Sequence, residues 1–347
     1  MTAVRAATLS ERPSVFSADS APNRTVLVLT LGGTIAMTRT AAAPGVTPTL
    51  TGSDLVGAVP GLQDTAEVTV EDFRQLPGAS LATGDIVGLA ERLSRAEGEG
   101  FDGVVVTQGT DTLEETSYLT DLYYPGAMPV VFTGAMRNAA SAGADGPANL
   151  LAAVQTAGSS EVRGAGILVV LGDEIHAARD VRKTHTTSPG AFASPNTGPL
   201  GHVVEGMVRL HRLPKPIAPL PLPIAPLPQV EIVTASLGSS GTLLKGLENE
   251  ISGLVVAAFG VGHVPESWCG PLEELAAAMP VVLATRIGAG PVLTSTYGFD
   301  GSERDLLARG LIGAGTLDPY KARLLLAALL AADTPRTEIA KAFLDRS

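Results

Sequence analysis

Short, almost continuous apolar runs recur along the chain: "TVLVLTL", "GVVVTQG", "PVVFTG" and "GILVVLGD", then "VEIVTAS", "GLVVAAFG" and "PVVLATR". Unbroken, Val-rich runs of this length suit strands covered on both faces by helices, because neither face then meets water. Helical patterns lie between many of them. Thr83 precedes apolar positions at Ile86, Val87, Leu89, Ala90 and Leu93, and Asp318-Pro319 precedes "YKARLLLAALLAA". Both read as helix starts, since a small polar cap or a proline at the first turn satisfies or omits the donors a helix leaves unpaired. The pattern predicts an α/β protein with a mainly parallel, doubly wound sheet.

Residues 213–228 fall in "LPKPIAPLPLPIAPLPQ". Prolines at this density remove backbone donors and favour an extended path, so the stretch reads as a linker; a ligand for a Pro-recognising module is the minor alternative. It separates a larger amino-terminal α/β domain, residues 25–212, from a smaller carboxy-terminal one, residues 229–347. Residues 1–24 mix small polar residues with prolines and lack the apolar core of a secretory signal, which predicts a disordered or loosely attached tail and a cytoplasmic location.

The 347 residues leave room for two domains, and no uninterrupted apolar run approaches the roughly 20 residues that cross a bilayer. No membrane partner is expected. The formal charge of −11 comes without a basic patch, which argues against nucleic acid. Cys269 is the single cysteine, so an intrachain disulfide and a cysteine-based metal cluster are excluded. His176, His185, His202, His211 and His263 form no metal-binding spacing and read as structural or surface residues.

In parallel sheets the ligand sits beyond the carboxyl ends of the strands, so the chemistry is sought there. The first run ends in Gly32-Gly33-Thr34, the second in Thr107-Gln108-Gly109-Thr110-Asp111, the third in Thr133-Gly134, and a later loop, "ARDVRKTHTT", holds Lys183. Each has a plain structural reading. "GGTIAM" matches neither the dinucleotide nor the triphosphate loop and alone is a glycine turn. Thr112 and Glu115 have capping-box spacing, and Lys183 alone is a solvated loop lysine. Taken together, hydroxyls, a lysine and an acid on one rim suit metal-free amide hydrolysis: a base activates the hydroxyl, and backbone N–H groups beside glycines hold the oxyanion.

"TLGGTIAMT", "VVTQGTDTLEETSYLTDL", "PVVFTGAMRNAASAGADGPANL", "RDVRKTHTT" and "GTLDPYKARLLL" occur in the order found in bacterial L-asparaginases and glutaminase-asparaginases. The chain resembles that family from about Thr25 onward. The resemblance implies hydrolysis of L-asparagine to L-aspartate and ammonia without a cofactor or metal, and a homotetramer, built as a dimer of dimers, or a homodimer. Thr34 is implied as the nucleophile, with Thr110 its rival. Thr110, Asp111 and Lys183 are implied as the second catalytic group, Asp111 also facing the substrate's ammonium. Gly33, Gly78, Ala79, Ser80 and Gly109 are the further candidate substrate-binding positions.

Three departures from the family stand out. The loop after the first motif carries no tyrosine where relatives often have one, leaving Tyr297, offered by a partner subunit, as a candidate replacement beside its reading as a packed aromatic. "LPGASL" puts Gly78 and Ala79 where relatives carry a serine and often a glutamine. His263 and Pro265 stand where some relatives have asparagines. The alternatives are a broad glutaminase-asparaginase, an amidase for a modified asparagine, and an amino-acid-binding protein without activity.

Overall fold

The computed structural model describes residues 24–33, 37–39, 46–48 and 51–346. Thr34 and the expected tail up to residue 23 lie outside the described residues. The strands of the amino-terminal part are β1 (Thr25–Thr30), β2 (Met37–Arg39), β3 (Val46–Pro48), β4 (Glu67–Asp72), β5 (Gly103–Thr107), β6 (Val130–Thr133), β7 (Ile167–Leu171), β8 (Glu174–Ala177), β9 (Arg182–Lys183), β10 (Phe192–Ala193), β11 (Gly201–Val204) and β12 (Met207–Leu210). Its helices are α1 (Gly52–Gly57), α2 (Thr83–Gly98), α3 (Leu113–Tyr123) and α4 (Gly146–Ala157). The carboxy-terminal part holds β13 (Val230–Thr234), β14 (Gly253–Ala258), β15 (Val281–Thr285) and β16 (Ile312–Gly313), with α5 (Cys269–Ala278), α6 (Glu303–Ala308), α7 (Pro319–Ala331) and α8 (Arg336–Arg346).

The large sheet runs β12-β11-β8-β7-β6-β5-β1-β4. From β4 to β7 its neighbours are parallel, and beyond β7 they are antiparallel. Alternation along β1 sends Val26 and Val28 to a core shared with α1 and α4, and Leu27 and Leu29 to the opposite core shared with α2 and α3. The chain leaves β1 toward β4 on one side, whereas β5 leads to β6 on the other. The loops after β1 and β5 therefore diverge, which makes a ligand crevice between them. Register brings the rim into line: Thr30 pairs with Thr107, and Thr107 with Thr133.

The second sheet, β13-β14-β15-β16, is parallel throughout. α7 covers one face, and it is apolar almost all round because it is buried on both sides. Its Leu325 and Leu326 share a core with Ile86 and Ala90 of α2 and with Tyr118, Leu119 and Leu122 of α3. One hydrophobic layer thus joins the two sheets. Residues 211–229 hold no helix or strand, and they lie against the molecule: the Leu220 N–H donates to Leu122 O at 2.7 Å, and Arg346 donates to Ala218 O at 2.7 Å.

The helix starts are partly as expected. Asp318 caps α7, accepting from the N–H groups of Tyr320 and Lys321. Thr83 lies inside α2, whose start is closed by the Asp85 carboxylate accepting the Ala82 N–H. The Thr112–Glu115 capping box does not form. The Thr112 hydroxyl donates instead to Gly78 O at 2.9 Å, and Glu115 faces Arg323 at 3.8 Å. The hydroxyl oxygen accepts from the Gln108 side-chain amide in place of a helix N–H, and its proton goes to the loop carbonyl.

Candidate active site

Three loops meet at the rim beside β1. Gly33 has φ of +96°, a region that an L side chain rarely adopts, and a β-carbon there would lie 2.1 Å from Gly109 N and 2.2 Å from Gly109 Cα. At Gly32, φ +95°, a β-carbon would lie 2.6 Å from the Leu76 carbonyl oxygen. The two glycines thus serve a crossing of backbones too close for any side chain. Gly78 completes the contact, because a β-carbon there would sit 3.2 Å from Gly109 O. Gly33, Gly78 and Gly109 are therefore brought together, and Ala79 and Ser80 follow in an exposed single-turn helix.

Buried amides and hydroxyls hold these loops. The Gln108 side chain donates to Thr112 Oγ1 at 3.1 Å and accepts from the Thr116 hydroxyl at 2.7 Å. Backbone bonds tie Leu31 to Thr107, Leu76 to Leu31 and Gln108 to Thr133. The neighbouring loop is fixed by Asp145, whose carboxylate accepts from the N–H groups of Met136 and Arg137.

On this platform Thr110 is buried and Asp111 stays 66% exposed at its side chain. The Lys183 ammonium donates to Thr110 Oγ1 at 3.0 Å and lies 3.5 Å from Asp111 Oδ1. A hydroxyl, a lysine and a carboxylate are thus in contact across 73 positions of sequence. The Lys183 backbone N–H donates to Glu114 Oε2 at 2.9 Å, and burial pushes the Glu114 carboxyl above the usual carboxylate range. Sequence reading missed Glu114 and Gln108. Gln108 had a signal, a second polar residue after Thr107 at the end of an apolar run; Glu114 had none, since it lies among ordinary first-turn acids.

Tyr297 lies in the carboxy-terminal part. It is 43% exposed, and its ring packs edge-on against His263 at 4.8 Å between centroids. Buried Glu303 organises this loop, accepting from the N–H groups of Thr296 and Tyr297 with one oxygen and lying 3.2 Å from His263 Nε2 with the other. The histidines scattered in sequence are less scattered in space. His202 Nδ1 is 3.2 Å from His211 Nε2, and both His202 and His176 approach Glu174. Among the described residues no group of three or more His, Cys, Asp or Glu side chains is arranged to hold a metal ion.

Fold and rim together define a two-domain α/β enzyme with a hydroxyl–ammonium–carboxylate cluster beside the switch point of its larger sheet. Residues 25–216 match the model of the asparaginase amino-terminal domain, and residues 229–343 that of the glutaminase/asparaginase carboxy-terminal domain. The chain belongs to the asparaginase family, hydrolases that act on amide bonds. It is 39% identical to a probable L-asparaginase of Deinococcus radiodurans, over 90% of this chain and 94% of that protein. It is 32% identical to a glutaminase-asparaginase of Pseudomonas fluorescens, over 92% and 89%. Among solved structures, a probable cytoplasmic L-asparaginase from Campylobacter jejuni superposes with a TM-score of 0.83 at 33% identity, covering 92% of this chain and 99% of that one.

Proposed function

We propose that the protein hydrolyses L-asparagine to L-aspartate and ammonia, acts more weakly on L-glutamine, and does so through a threonyl acyl-enzyme. The observation that carries the reading is the contact of Lys183 Nζ with Thr110 Oγ1 beside Asp111. In the first half-reaction the Thr34 hydroxyl attacks the side-chain carbonyl of asparagine. Its proton passes to the departing nitrogen, the C–N bond breaks, ammonia leaves and a β-aspartyl ester remains. In the second, water attacks the ester and restores the hydroxyl. Lys183 and Asp111 position the Thr110 hydroxyl, the three groups together activate the attacking hydroxyl or water, and Asp111, open to solvent, also receives the substrate's α-ammonium. Backbone N–H groups beside Gly33 and Gly109 stabilise the oxyanion.

The reaction as proposed draws on no cofactor. With Gly78 and Ala79 in the binding turn, the substrate carboxylate relies on backbone groups and Ser80. The family resemblance supports a homotetramer or homodimer, Tyr297 is the candidate group supplied to a neighbouring site, and the similarity to a probable cytoplasmic L-asparaginase from Campylobacter jejuni supports a cytoplasmic enzyme, whereas a relative from Haemophilus influenzae is described as a probable periplasmic L-asparaginase. The Pseudomonas relative favours the second reading, a broad glutaminase-asparaginase, because one methylene is worth only about 1–3 kcal/mol of discrimination.

Initial rates of ammonia release from L-asparagine and L-glutamine test the proposal. A higher kcat/KM for asparagine, with loss of at least about 100-fold in Thr34→Ala, is the expected result. Equal values for the two substrates select the broad enzyme. Stoichiometric binding of asparagine with no ammonia released sinks the enzyme reading altogether.

A further inference from the structure

The geometry points to Lys321, a buried residue of the carboxy-terminal part, as the positioning residue that holds Lys183 against Thr110. The inference rests on the proposed role of Lys183. Lys321 is 1% exposed and stands in the first turn of α7, a helix whose other core residues are apolar. That is a poor place for a cation. Burial disfavours the charge, and the positive end of the helix dipole repels it. Helix stability therefore does not account for a lysine here, and its partners do.

The Lys321 ammonium donates to the carbonyls of Val181 and Arg179, the latter at 3.2 Å, and lies 3.9 Å from the Asp318 carboxylate. Both carbonyls belong to the segment that runs into β9 and delivers Lys183. The same segment is also held by Glu114 of α3, which accepts the Lys183 N–H. Arg182 adds a further tie, donating to Gly288 O at 3.0 Å and lying 3.8 Å from Asp318. α3 and α7 belong to one core, so the segment is held by two helices packed in a single layer.

The grip matters because β9 has little support of its own. It is two residues long and, among the described residues, pairs only with β10, outside both larger sheets. A two-residue ribbon does not by itself hold a side chain to the tolerance that proton transfer needs. Lys321 supplies the missing constraint from across the domain boundary. The carboxy-terminal part thereby acts on the reaction within its own chain.

The test is a double-mutant cycle on the full-length protein, reading kcat and KM for ammonia release, with circular dichroism and a urea midpoint to establish folding. Lys321→Met should lower kcat by about 10- to 100-fold, the effect of a misplacement near 1 Å, and leave KM within about threefold because the Gly33, Gly78 and Asp111 loops are untouched. In a Lys183→Met background the same change should cost nothing more, since Lys321 would have nothing left to position. Lys321→Gln, which keeps an amide donor for the carbonyls, should fall between, and it replaces the methionine variant should that fail to fold. Wild-type kcat in a folded Lys321 variant overturns the inference, as does a drop that multiplies fully with that of Lys183→Met. Full activity in Lys183→Met alone overturns the proposed role of Lys183 and this inference with it.

Discussion

Gly33→Ala isolates the backbone crossing on which the site is built. The added β-carbon would fall 2.1 Å from Gly109 N and 2.2 Å from Gly109 Cα. Both are backbone atoms, so no side-chain rotation relieves the overlap. Ordinary contact begins near 3.4 Å, and the two loops must therefore part by more than about 1 Å. The residue must also keep φ near +96° or abandon it, and the left-handed region alone costs an L residue about 1–2 kcal/mol. With the overlap added, a loss of roughly 3 kcal/mol or more in unfolding free energy is expected. Activity should fall on the order of 100-fold, because Gly109 adjoins Thr110 and the displacement reaches the proposed reacting groups. The assay pairs urea denaturation with rates of ammonia release. Gly84→Ala is the control: it lies in the first turn of α2 with nothing within 4 Å of the new β-carbon, and should leave activity unchanged and stability equal or higher by about 0.5–1 kcal/mol. A Gly33→Ala protein with stability and kcat/KM matching the Gly84→Ala control would refute the reasoning.

Two further outcomes follow from buried polar groups. Burial outweighs the attraction of Glu174 and holds the His176 imidazole down to about 4, so the unfolded chain takes up this proton first as pH falls; stability from this residue is whole above about pH 6.5 and drains away by up to roughly 3 kcal/mol toward pH 4, which a flatter pH dependence of the urea midpoint in His176→Gln would reveal and an unchanged one would disprove. Thr112→Val keeps the shape but removes the donor to Gly78 O and strands the Gln108 amide, so a loss of about 1–3 kcal/mol with a raised KM is expected; an unaltered urea midpoint would mean that the hydroxyl contributes nothing to holding the loops.

Strands buried on both faces were readable from their residues, as β1, β5, β6, β7, β14 and β15 show. β4, "EVTVED", carries the alternation of a half-exposed edge and gives a weaker signal, and β12 is likewise half-exposed. Thr112 and Thr83 show the limit of cap signatures: spacing names a candidate, while a nearby carbonyl or carboxylate decides which groups bond. The site was readable as motifs. Gly33, Gly109, Thr110 and Asp111 were picked out by lying at strand ends and Lys183 by its place in a later loop, and Thr34, outside the described residues, is proposed from its motif alone.

By itself the sequence determined the class of fold, the rim on which chemistry had to lie and the family, because these depend on local periodicity and on short segments in order. Only tertiary structure decided that Lys183 touches Thr110 across 73 residues, that Gly33 meets Gly109 backbone to backbone, and that the lysine in "DPYKARLLL" is buried against the segment bearing another lysine. Such contacts arise where helices and strand ends from distant parts of the chain pack together. The free energy that fixes them belongs to the assembled layers, and no local pattern records which residues will face each other there.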